Sequence, residues 1–264
     1  MTQKELELLV EQAIADVAES ERANPTLPVV ERDREWGLYC DHSVLRAYTP
    51  KAILKKFCDE AKEYGAYSVA ICPANVPFIV SQLEGTGIKA GAAIGFPLGN
   101  TTPAVKAFEA GEAVDNGAGE CDMVINIGAL RDGDYKYVYD EIVGVVKAIG
   151  GRVPLKVIIE TCYLTREQKI AGSVLAKAAG ADYIKTSTGF GTDGAKAADI
   201  ILMRRAVKDE IKVKASTNVN TRKDAEEMIA AGADRLGISR LIAIVTDCAD
   251  APCASMENKP PKFD

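Results

Sequence analysis

Two copies of one phrase, AGADYIKTS at 179–187 and AGADRLGIS at 231–239, decide the fold. In each copy, Gly-Ala-Asp stands between a run with helical periodicity and a short apolar run typical of a strand. GAGE at 117–120 is a looser third copy. The recurrence of helix, Gly-Ala turn and strand indicates serially repeated βα units.

The same pattern of short apolar runs and amphipathic runs extends outward over most of the chain. Strands are predicted at 37–41, 66–71, 88–94, 120–127, 154–160, 182–187, 211–216 and 233–238, and helices at 50–64, 74–84, 101–117, 134–150, 165–180, 195–208 and 221–231. Eight strands at about 30 residues per unit suit a (β/α)8 TIM barrel of ~250 residues. An open doubly wound sheet is the alternative, because strand order cannot be read from a sequence.

The ends of the chain fit around that barrel. Residues 3–22 form an extra N-terminal helix, which we expect to cover the N-terminal face of the barrel. The predicted organisation is one (β/α)8 domain over 1–264, with an N-terminal helical extension at 1–30 and a C-terminal tail at 249–264.

Composition excludes several classes of protein. The 264 residues carry a net charge of -6, which argues against a general nucleic-acid binder. No apolar run is long enough for a membrane span, and the acidic, periodic start is unlike a signal peptide. The seven cysteines contain no CxxC pair, which favours a reduced, cytoplasmic setting. The single histidine, His42, excludes a metal site built from several histidines.

Charged residues within buried strands are the informative positions, because parallel strands covered on both faces are normally apolar. Asp41, Asp122, Lys185 and Lys214 stand near the C-terminal ends of the predicted first, fourth, sixth and seventh strands. In a barrel those strand ends face the catalytic mouth. We therefore expect the four side chains to meet there.

Other polar strand residues are expected to have structural roles. Lys156 and Lys212 lie nearer the N-terminal ends of their strands, away from the mouth. Glu160 ends the fifth strand and fits either a structural or a functional role. His42 follows Asp41 directly, so strand alternation turns it to the opposite face, where a structural role is expected.

A lysine pair has a specific chemical consequence. A buried ammonium group close to a second cation loses its proton more readily. The free amine can attack a carbonyl and form a Schiff base, whose iminium ion withdraws electrons during C–C bond cleavage or formation. A carboxylate such as Asp122 can move the proton. Asp122, Lys185 and Lys214 are the groups that such a site requires.

The segment YIKTSTGFG at 183–191 resembles the Schiff-base strand of the deoxyribose-phosphate aldolases, which are class I aldolases. Supporting segments are CDMVINIGAL at 121–130, IGFPLGNTT at 94–102, VIIETCYLT at 157–165 and VKAS at 213–216. The resemblance implies cleavage of 2-deoxyribose 5-phosphate into acetaldehyde and glyceraldehyde 3-phosphate. It also implies that Lys185 forms the Schiff base, Lys214 lowers its pKa, Asp122 relays protons and Asp41 supports binding of a substrate hydroxyl.

The chain departs from that family around the mouth. Thr217-Asn218-Val219-Asn220 replaces two glycines, an aliphatic residue and an arginine, and Gly237-Ile238-Ser239-Arg240-Leu241 replaces Gly-Thr-Ser-Ser-Gly. These loops build the family's phosphate cradle, where glycines let backbone N–H groups approach the anion. Arg240 can restore positive charge, but from another position. We therefore expect weakened phosphate recognition and an acceptor preference shifted toward aldehydes without phosphate, whether the change is natural or engineered.

The predicted site follows from these assignments. The catalytic residues are Lys185, Lys214 and Asp122, with no metal and no cofactor. The predicted substrate-binding residues are Asp41, Cys72, Thr188, Gly189, Gly191, Thr217, Asn218, Gly237, Ile238, Ser239 and Arg240. We expect small aldehydes as ligands, no nucleic-acid or membrane partner, and a homodimer or homotetramer.

Two other functions compete with an aldolase. Gly189 to Gly194 reads GxGxxG after a strand, with Asp209 20 residues beyond the first glycine, as in nicotinamide-dependent oxidoreductases. The motif falls in the sixth repeat rather than the first, which argues against that function. A non-catalytic binding barrel is the third hypothesis, and it gains weight only where no iminium ion can be trapped.

Overall fold

Eight parallel strands close into a barrel in chain order in the computed structural model, which describes residues 1–26, 29, 31 and 33–260. The strands are β1 (Cys40–Ser43), β2 (Ser68–Ile71), β3 (Lys89–Ile94), β4 (Glu120–Val124), β5 (Leu155–Ile158), β6 (Tyr183–Lys185), β7 (Lys212–Ser216) and β8 (Arg235–Ile238). The predicted (β/α)8 barrel is confirmed, and the open sheet is excluded because β1 pairs with β8.

Helices alternate with these strands and form the outer layer. They are α1 (Gln3–Ala23), α2 (Lys51–Glu63), α3 (Val76–Leu83), α4 (Pro103–Asp115), α5 (Ile127–Asp132), α6 (Tyr135–Ile149), α7 (Arg166–Ala178), α8 (Ala197–Val207), α9 (Arg222–Ala230), α10 (Leu241–Thr246) and α11 (Ala254–Glu257). Threonines cap α4 and α7, where the hydroxyls of Thr102 and Thr165 accept hydrogen bonds from the backbone N–H groups of Val105 and Gln168. Within the described residues, no helix is both long and apolar enough to cross a membrane.

The first strand begins later than predicted. Residues Trp36–Tyr39 form a 3-10 helix, and the strand runs over Cys40–Ser43 rather than 37–41. A Cβ atom on Gly37 would lie 2.3 Å from the Gly65 carbonyl oxygen, so this turn packs against the end of α2. A short apolar run does not distinguish such a turn from a strand by periodicity alone.

The N-terminal helix lies beside the barrel rather than across its N-terminal face. Leu6, Val10, Ala13 and Val17 form a buried stripe on α1, which packs against α6, α7 and α8. Arg205 at the end of α8 donates a 2.7 Å hydrogen bond to the Ser20 hydroxyl of α1. The expected position of α1 across the N-terminal face is therefore wrong, because its buried apolar stripe packs against the outer helices. Residues 27, 28 and 30 of the predicted extension lie outside the described residues.

The described part of the predicted tail, 249–260, runs back toward the barrel mouth. Its short helix α11 packs on α2, where the Ala254 backbone N–H donates to Glu60. Asn258 donates a 2.9 Å hydrogen bond to the Thr49 hydroxyl. Residues 261–264 lie outside the described residues, and the assignment of 1–264 to one domain stays a prediction.

Candidate active site

Seven ionisable side chains from six strands are buried in the barrel interior. The barrel cluster consists of Asp41 (β1), Glu120 and Asp122 (β4), Lys156 (β5), Lys185 (β6), Lys214 (β7) and Arg235 (β8). None is more than 4% exposed. Strand register brings them together, because Lys185 is the partner of Lys214, and Lys214 is also the partner of Arg235.

Asp122 is the centre of this cluster. Its Oδ2 atom accepts hydrogen bonds from Lys185 Nζ at 2.7 Å and from Lys214 Nζ at 2.8 Å. Its Oδ1 atom accepts one from Lys156 Nζ at 2.8 Å. The two predicted catalytic lysines therefore share one oxygen of Asp122, and Lys156 donates to the other.

The environment of Lys185 favours its neutral form. Burial lowers the pKa of Lys185, the nearby charge of Lys214 lowers it further, and Asp122 only partly opposes both effects. The resulting pKa is about 8, against an ordinary value of 10.5. Roughly a tenth of Lys185 is therefore free amine at pH 7, far more than for an ordinary lysine.

The charges of the barrel cluster balance when one lysine is neutral, and Lys185 is the member whose pKa is lowered. The cluster has four cations (Lys156, Lys185, Lys214, Arg235) and three carboxylates (Asp41, Glu120, Asp122). Burial alone would raise the pKa of both aspartates, but the surrounding cations outweigh it and hold both values below the ordinary range. With all three carboxylates ionised, deprotonation of Lys185 leaves equal numbers of opposite charges.

Asp41 lies beneath the mouth rather than in it. It pairs with Lys214 and accepts a 3.0 Å hydrogen bond from Arg235 Nη1. Its position supports Lys214 from below, and its Oδ2 atom lies 3.7 Å from Lys156 Nζ. The expected meeting of Asp41 with the lysines is thus observed, and Asp41 itself is fully buried.

Three members of the barrel cluster were missed or assigned to structure alone. Lys156 connects Asp122 to Glu120, whose Oε2 atom lies 2.8 Å from Lys156 Nζ. Arg235 was not identified as a candidate. Each is a charged residue in a strand that is otherwise apolar, and Glu120 precedes Asp122 by two residues on the same strand face. That pattern was the available signal.

A cavity of about 390 Å³ opens above the barrel cluster at the C-terminal mouth. Lys185 lies on its lining. The predicted binding residues that also line it are Thr188, Gly189, Thr217, Asn218, Gly237, Ile238, Ser239 and Arg240. Sequence analysis missed Arg46, Tyr48, Ser187, Phe190 and Ser216, which line the cavity as well. Arg46 and Tyr48 follow β1, and Ser187, Phe190 and Ser216 lie within the quoted segments 183–191 and 213–216; the closed barrel brings them to one cavity.

Besides Asp41, two predicted binding residues lie outside the cavity lining. The Sγ atom of Cys72 is 3.9 Å from the Leu45 carbonyl oxygen, outside the lining. Gly191 packs behind the wall, where a Cβ atom would be 2.7 Å from Cys162 Sγ. Gly191 therefore allows close packing against Cys162 and Glu160.

Glu160 holds Thr188, which lines the cavity, in place through hydrogen bonds. The buried Glu160 carboxylate accepts hydrogen bonds from the Thr188 hydroxyl and from its backbone N–H, the latter at 3.2 Å. Burial raises the pKa of Glu160, and these hydrogen bonds oppose the rise. Beyond Thr188, the Phe190 ring lies edge-on to Phe96 and beneath the Arg46 guanidinium group.

The loop after β7 keeps a backbone that glycine normally supplies. Thr217 and Asn218 have φ angles of 70° and 64°, in the left-handed region. This conformation is unfavourable for a β-branched residue such as threonine. The Asn218 side chain donates to Asp193 at 2.8 Å, and Arg240 donates to the Ala249 carbonyl. The backbone turn is thus present, while the two side chains stand where glycines would leave space.

His42 points away from the site. Its ring stacks on Phe57 with centroids 4.3 Å apart, and its Nε2 atom lies 2.8 Å from Glu60 Oε2. The structural role expected from strand alternation fits this position between the barrel and α2.

Comparison with known proteins identifies similar chains. A family model described as DeoC/LacD family aldolase matches residues 38–243. The deoxyribose-phosphate aldolase of Enterococcus faecalis is 52% identical over 206 residues, which are 78% of this chain and 94% of that enzyme. The Thermococcus kodakarensis enzyme of the same name is 49% identical over 220 residues, covering 82% of this chain and 98% of that one.

Solved structures agree. A candidate deoxyribose-phosphate aldolase from Coccidioides immitis superposes with a TM-score of 0.86 at 35% identity, covering 94% of this chain and 98% of that one. The deoxyribose phosphate aldolase from Aeropyrum pernix, described as a unique tetrameric structure, gives a TM-score of 0.76 at 26% identity, covering 92% and 97%.

Proposed function

The chain belongs to the DeoC/LacD aldolase family, and from this premise we propose that it is a class I aldolase acting through a Schiff base on Lys185. One observation carries the assignment. The Lys185 amine is buried, shares Asp122 with Lys214 and has a pKa lowered to about 8. No other group on the cavity lining combines an amine with this environment among the described residues.

The proposed reaction uses the barrel cluster in order. The free amine of Lys185 attacks the carbonyl carbon of acetaldehyde, and loss of water gives an iminium ion. Removal of a proton from the adjacent carbon gives an enamine, with ionised Asp122 as the proton-relay group. The enamine carbon then attacks the acceptor aldehyde, and hydrolysis releases the product and Lys185.

The positive charge of Lys214 helps to keep Lys185 unprotonated in this cycle. Its Nζ atom is held by Asp122 on one side and by Asp41 on the other. A fixed cation at this position disfavours protonation of Lys185. We propose that Asp41 acts through Lys214, as a positioning residue.

The substrate class follows from the relatives. We propose cleavage of 2-deoxyribose 5-phosphate to acetaldehyde and glyceraldehyde 3-phosphate, and the reverse aldol addition. By analogy with the Aeropyrum pernix protein, we also propose a homo-oligomer, a homodimer or homotetramer. The cytoplasm is the proposed location.

The test is cleavage of 2-deoxyribose 5-phosphate, followed by acetaldehyde release. Lys185→Leu should reduce the rate to background, because no amine remains to form the iminium ion. Lys212→Leu is the matched control, since Lys212 is an exposed lysine on β7 outside the cavity. Full activity of Lys185→Leu would refute the assignment.

Acceptor specificity is a separate proposal. We propose that phosphate binding is weaker than in ordinary family members, because Thr217 and Asn218 add side chains to the cradle and Arg240 already donates to the Ala249 carbonyl. Two lost charge-assisted hydrogen bonds would cost roughly 3–6 kcal/mol. The buried Ile238 on the cavity lining favours a neutral acceptor.

The charge of the cavity lining supports the opposite preference. Arg46, Lys185 and Arg240 line the cavity, and no described carboxylate does. An anionic acceptor is therefore the alternative. Comparison of kcat/KM for 2-deoxyribose 5-phosphate and unphosphorylated deoxyribose decides between them. A preference above ~100-fold for the phosphate, about 2.7 kcal/mol, would contradict weakened binding.

A further inference from the structure

Two serine hydroxyls at the base of the cavity have no role in the mechanism above. Ser187 and Ser216 both line the cavity together with Lys185. Ser187 is 0% exposed and Ser216 is 4% exposed. Neither Oγ atom has a hydrogen-bond partner among the described residues. Buried hydroxyls are normally paired, so two unpaired ones facing one cavity indicate a ligand atom between them.

Both hydroxyls lie close to the two lysines. Ser216 follows Lys214 by two residues on β7 and so shares its strand face. Ser187 follows Lys185 by two residues, just beyond the end of β6, and lines the same cavity as Lys185. Lys185 and Lys214 are register partners. The two segments stay joined beyond the lysines, because the Ser216 backbone N–H donates to the Thr186 hydroxyl at 3.1 Å.

Gly237 keeps the Ser216 hydroxyl open. A Cβ atom at position 237 would lie 2.1 Å from Ser216 Oγ and 3.1 Å from Lys214 Cε. Any larger residue would displace the hydroxyl and press on the lysine. The absence of a side chain at Gly237 thus preserves both the hydroxyl and its access to the cavity.

Unpaired buried hydroxyls also occur at Ser68 and Thr161, but neither lines the cavity, so it is their place on the lining beside Lys185 that distinguishes Ser187 and Ser216. Ser173 on α7 is 0% exposed, and its hydroxyl donates to the Lys169 carbonyl at 2.7 Å. A buried serine hydroxyl can thus donate to a carbonyl of its own helix and needs no ligand. Ser187 and Ser216 lack such a partner although both are close to the chemistry.

We propose that Ser187 and Ser216 bind the acceptor oxygen, the atom that becomes the hydroxyl of the aldol product. This inference rests on the proposed aldolase function and adds two catalytic residues to it. The position above Lys185 suits an acceptor carbonyl that approaches an enamine carried on that lysine. Both hydroxyls donate a hydrogen bond to this oxygen.

The electron movements explain why donors are needed there. The enamine electron pair forms the new bond to the acceptor carbon, and the C=O π pair moves to the acceptor oxygen. That oxygen becomes an alkoxide, which water in the cavity protonates. Hydrolysis of the iminium ion later returns the proton to the solvent. Hydrogen-bond donors fixed in advance stabilise the developing negative charge.

Two half-reactions separate this role from Schiff-base formation. Exchange of the acetaldehyde α hydrogens with deuterated water needs the iminium ion and enamine, but no acceptor. Cleavage of 2-deoxyribose 5-phosphate needs both. Ser187→Ala and Ser216→Ala should each lower kcat for cleavage by about 100-fold, while exchange stays within about threefold of wild type.

Three further variants make the test specific. Ser187→Thr retains a hydroxyl and should recover most of the cleavage activity that Ser187→Ala loses. Ser173→Ala is the matched control for loss of a buried serine hydroxyl. Gly237→Ala should resemble Ser216→Ala in cleavage. The two serines are tested separately, so that a variant that fails to fold leaves the other informative.

The outcomes are distinct. Cleavage that falls while exchange persists supports the proposal. Cleavage rates of Ser187→Ala and Ser216→Ala that match Ser173→Ala, or exchange that falls together with cleavage, would overturn it. Absence of exchange and cleavage in the wild-type protein would instead overturn the proposed function itself.

Discussion

Lys106 and Lys185 are both buried beside carboxylates, and their surroundings differ in one respect. Lys106 on α4 is 0% exposed and pairs with Glu141 on α6, with 2.6 Å between Nζ and Oε2. Lys185 is 4% exposed and lies 2.7 Å from Asp122. Among the described residues, Lys106 is the one lysine paired with Glu141. Lys185 shares Asp122 with two other lysines.

The difference shows how the fold separates a structural lysine from a reactive one. Burial lowers the pKa of both lysines, but Glu141 opposes this change at Lys106 without a competing cation. At Lys185 the charge of Lys214 adds to burial. A carboxylate with one lysine partner therefore keeps that lysine charged in the outer layer. A carboxylate shared by several lysines leaves one of them easier to deprotonate.

The largest effect on stability is expected where the buried pair is broken. Lys106→Met leaves Glu141 buried without its cation and should lower the free energy of unfolding by ~3–5 kcal/mol. Denaturant titration measures this change. The double variant Lys106→Met with Glu141→Met should recover most of the loss, because both charges leave together. Lys55→Met, which breaks an exposed pair on α2, should cost less than about 1 kcal/mol. Equal losses in all three variants would contradict the contrast.

A smaller effect, on rate, is expected at Lys214. Lys214→Leu removes the cation that lowers the pKa of Lys185, and we expect kcat/KM to fall by about 100-fold or more, ~2.7 kcal/mol. The pH profile should also shift to higher pH. Lys212→Leu, two residues earlier on β7, should leave both the rate and the profile unchanged. A lower rate with an unmoved profile would show that Lys214 acts in another way.

The smallest effect is the pH dependence of the unmodified protein. Lysine must lose its proton to attack a carbonyl, so activity depends on the neutral fraction of Lys185. Because its pKa is about 8, kcat/KM should fall tenfold for each pH unit well below that value and level off above it. Lys106→Met should show the same profile wherever it is folded. A profile that levels off only near the ordinary lysine pKa would contradict the reactive environment.

The barrel and its lysine pair were predictable from local signals. Gly-Ala-Asp turns mark the unit repeat, and a charged residue in an apolar strand is conspicuous at Lys185 and Lys214. The residue type and its place near the strand end carry that information. Asp122 was identified by the same reasoning.

Other features depend on distances that the sequence does not contain. Lys156 and Arg235 enter the barrel cluster because strand register aligns them with Asp122 and Asp41. Cys72 is absent from the cavity lining, and its Sγ atom lies 3.9 Å from the carbonyl oxygen of Leu45, which does line the cavity. The unpaired hydroxyl of Ser216 is visible only once every partner is placed.

Covalent trapping tests the central claim most directly. The protein is mixed with acetaldehyde, reduced with borohydride, digested and mapped by mass spectrometry. The account predicts a single ethyl group on Lys185, the buried lysine on the cavity lining. Lys106, Lys156 and Lys214, each 0% exposed, should remain unmodified. A label on Lys214 instead of Lys185, or no label at all, would contradict it.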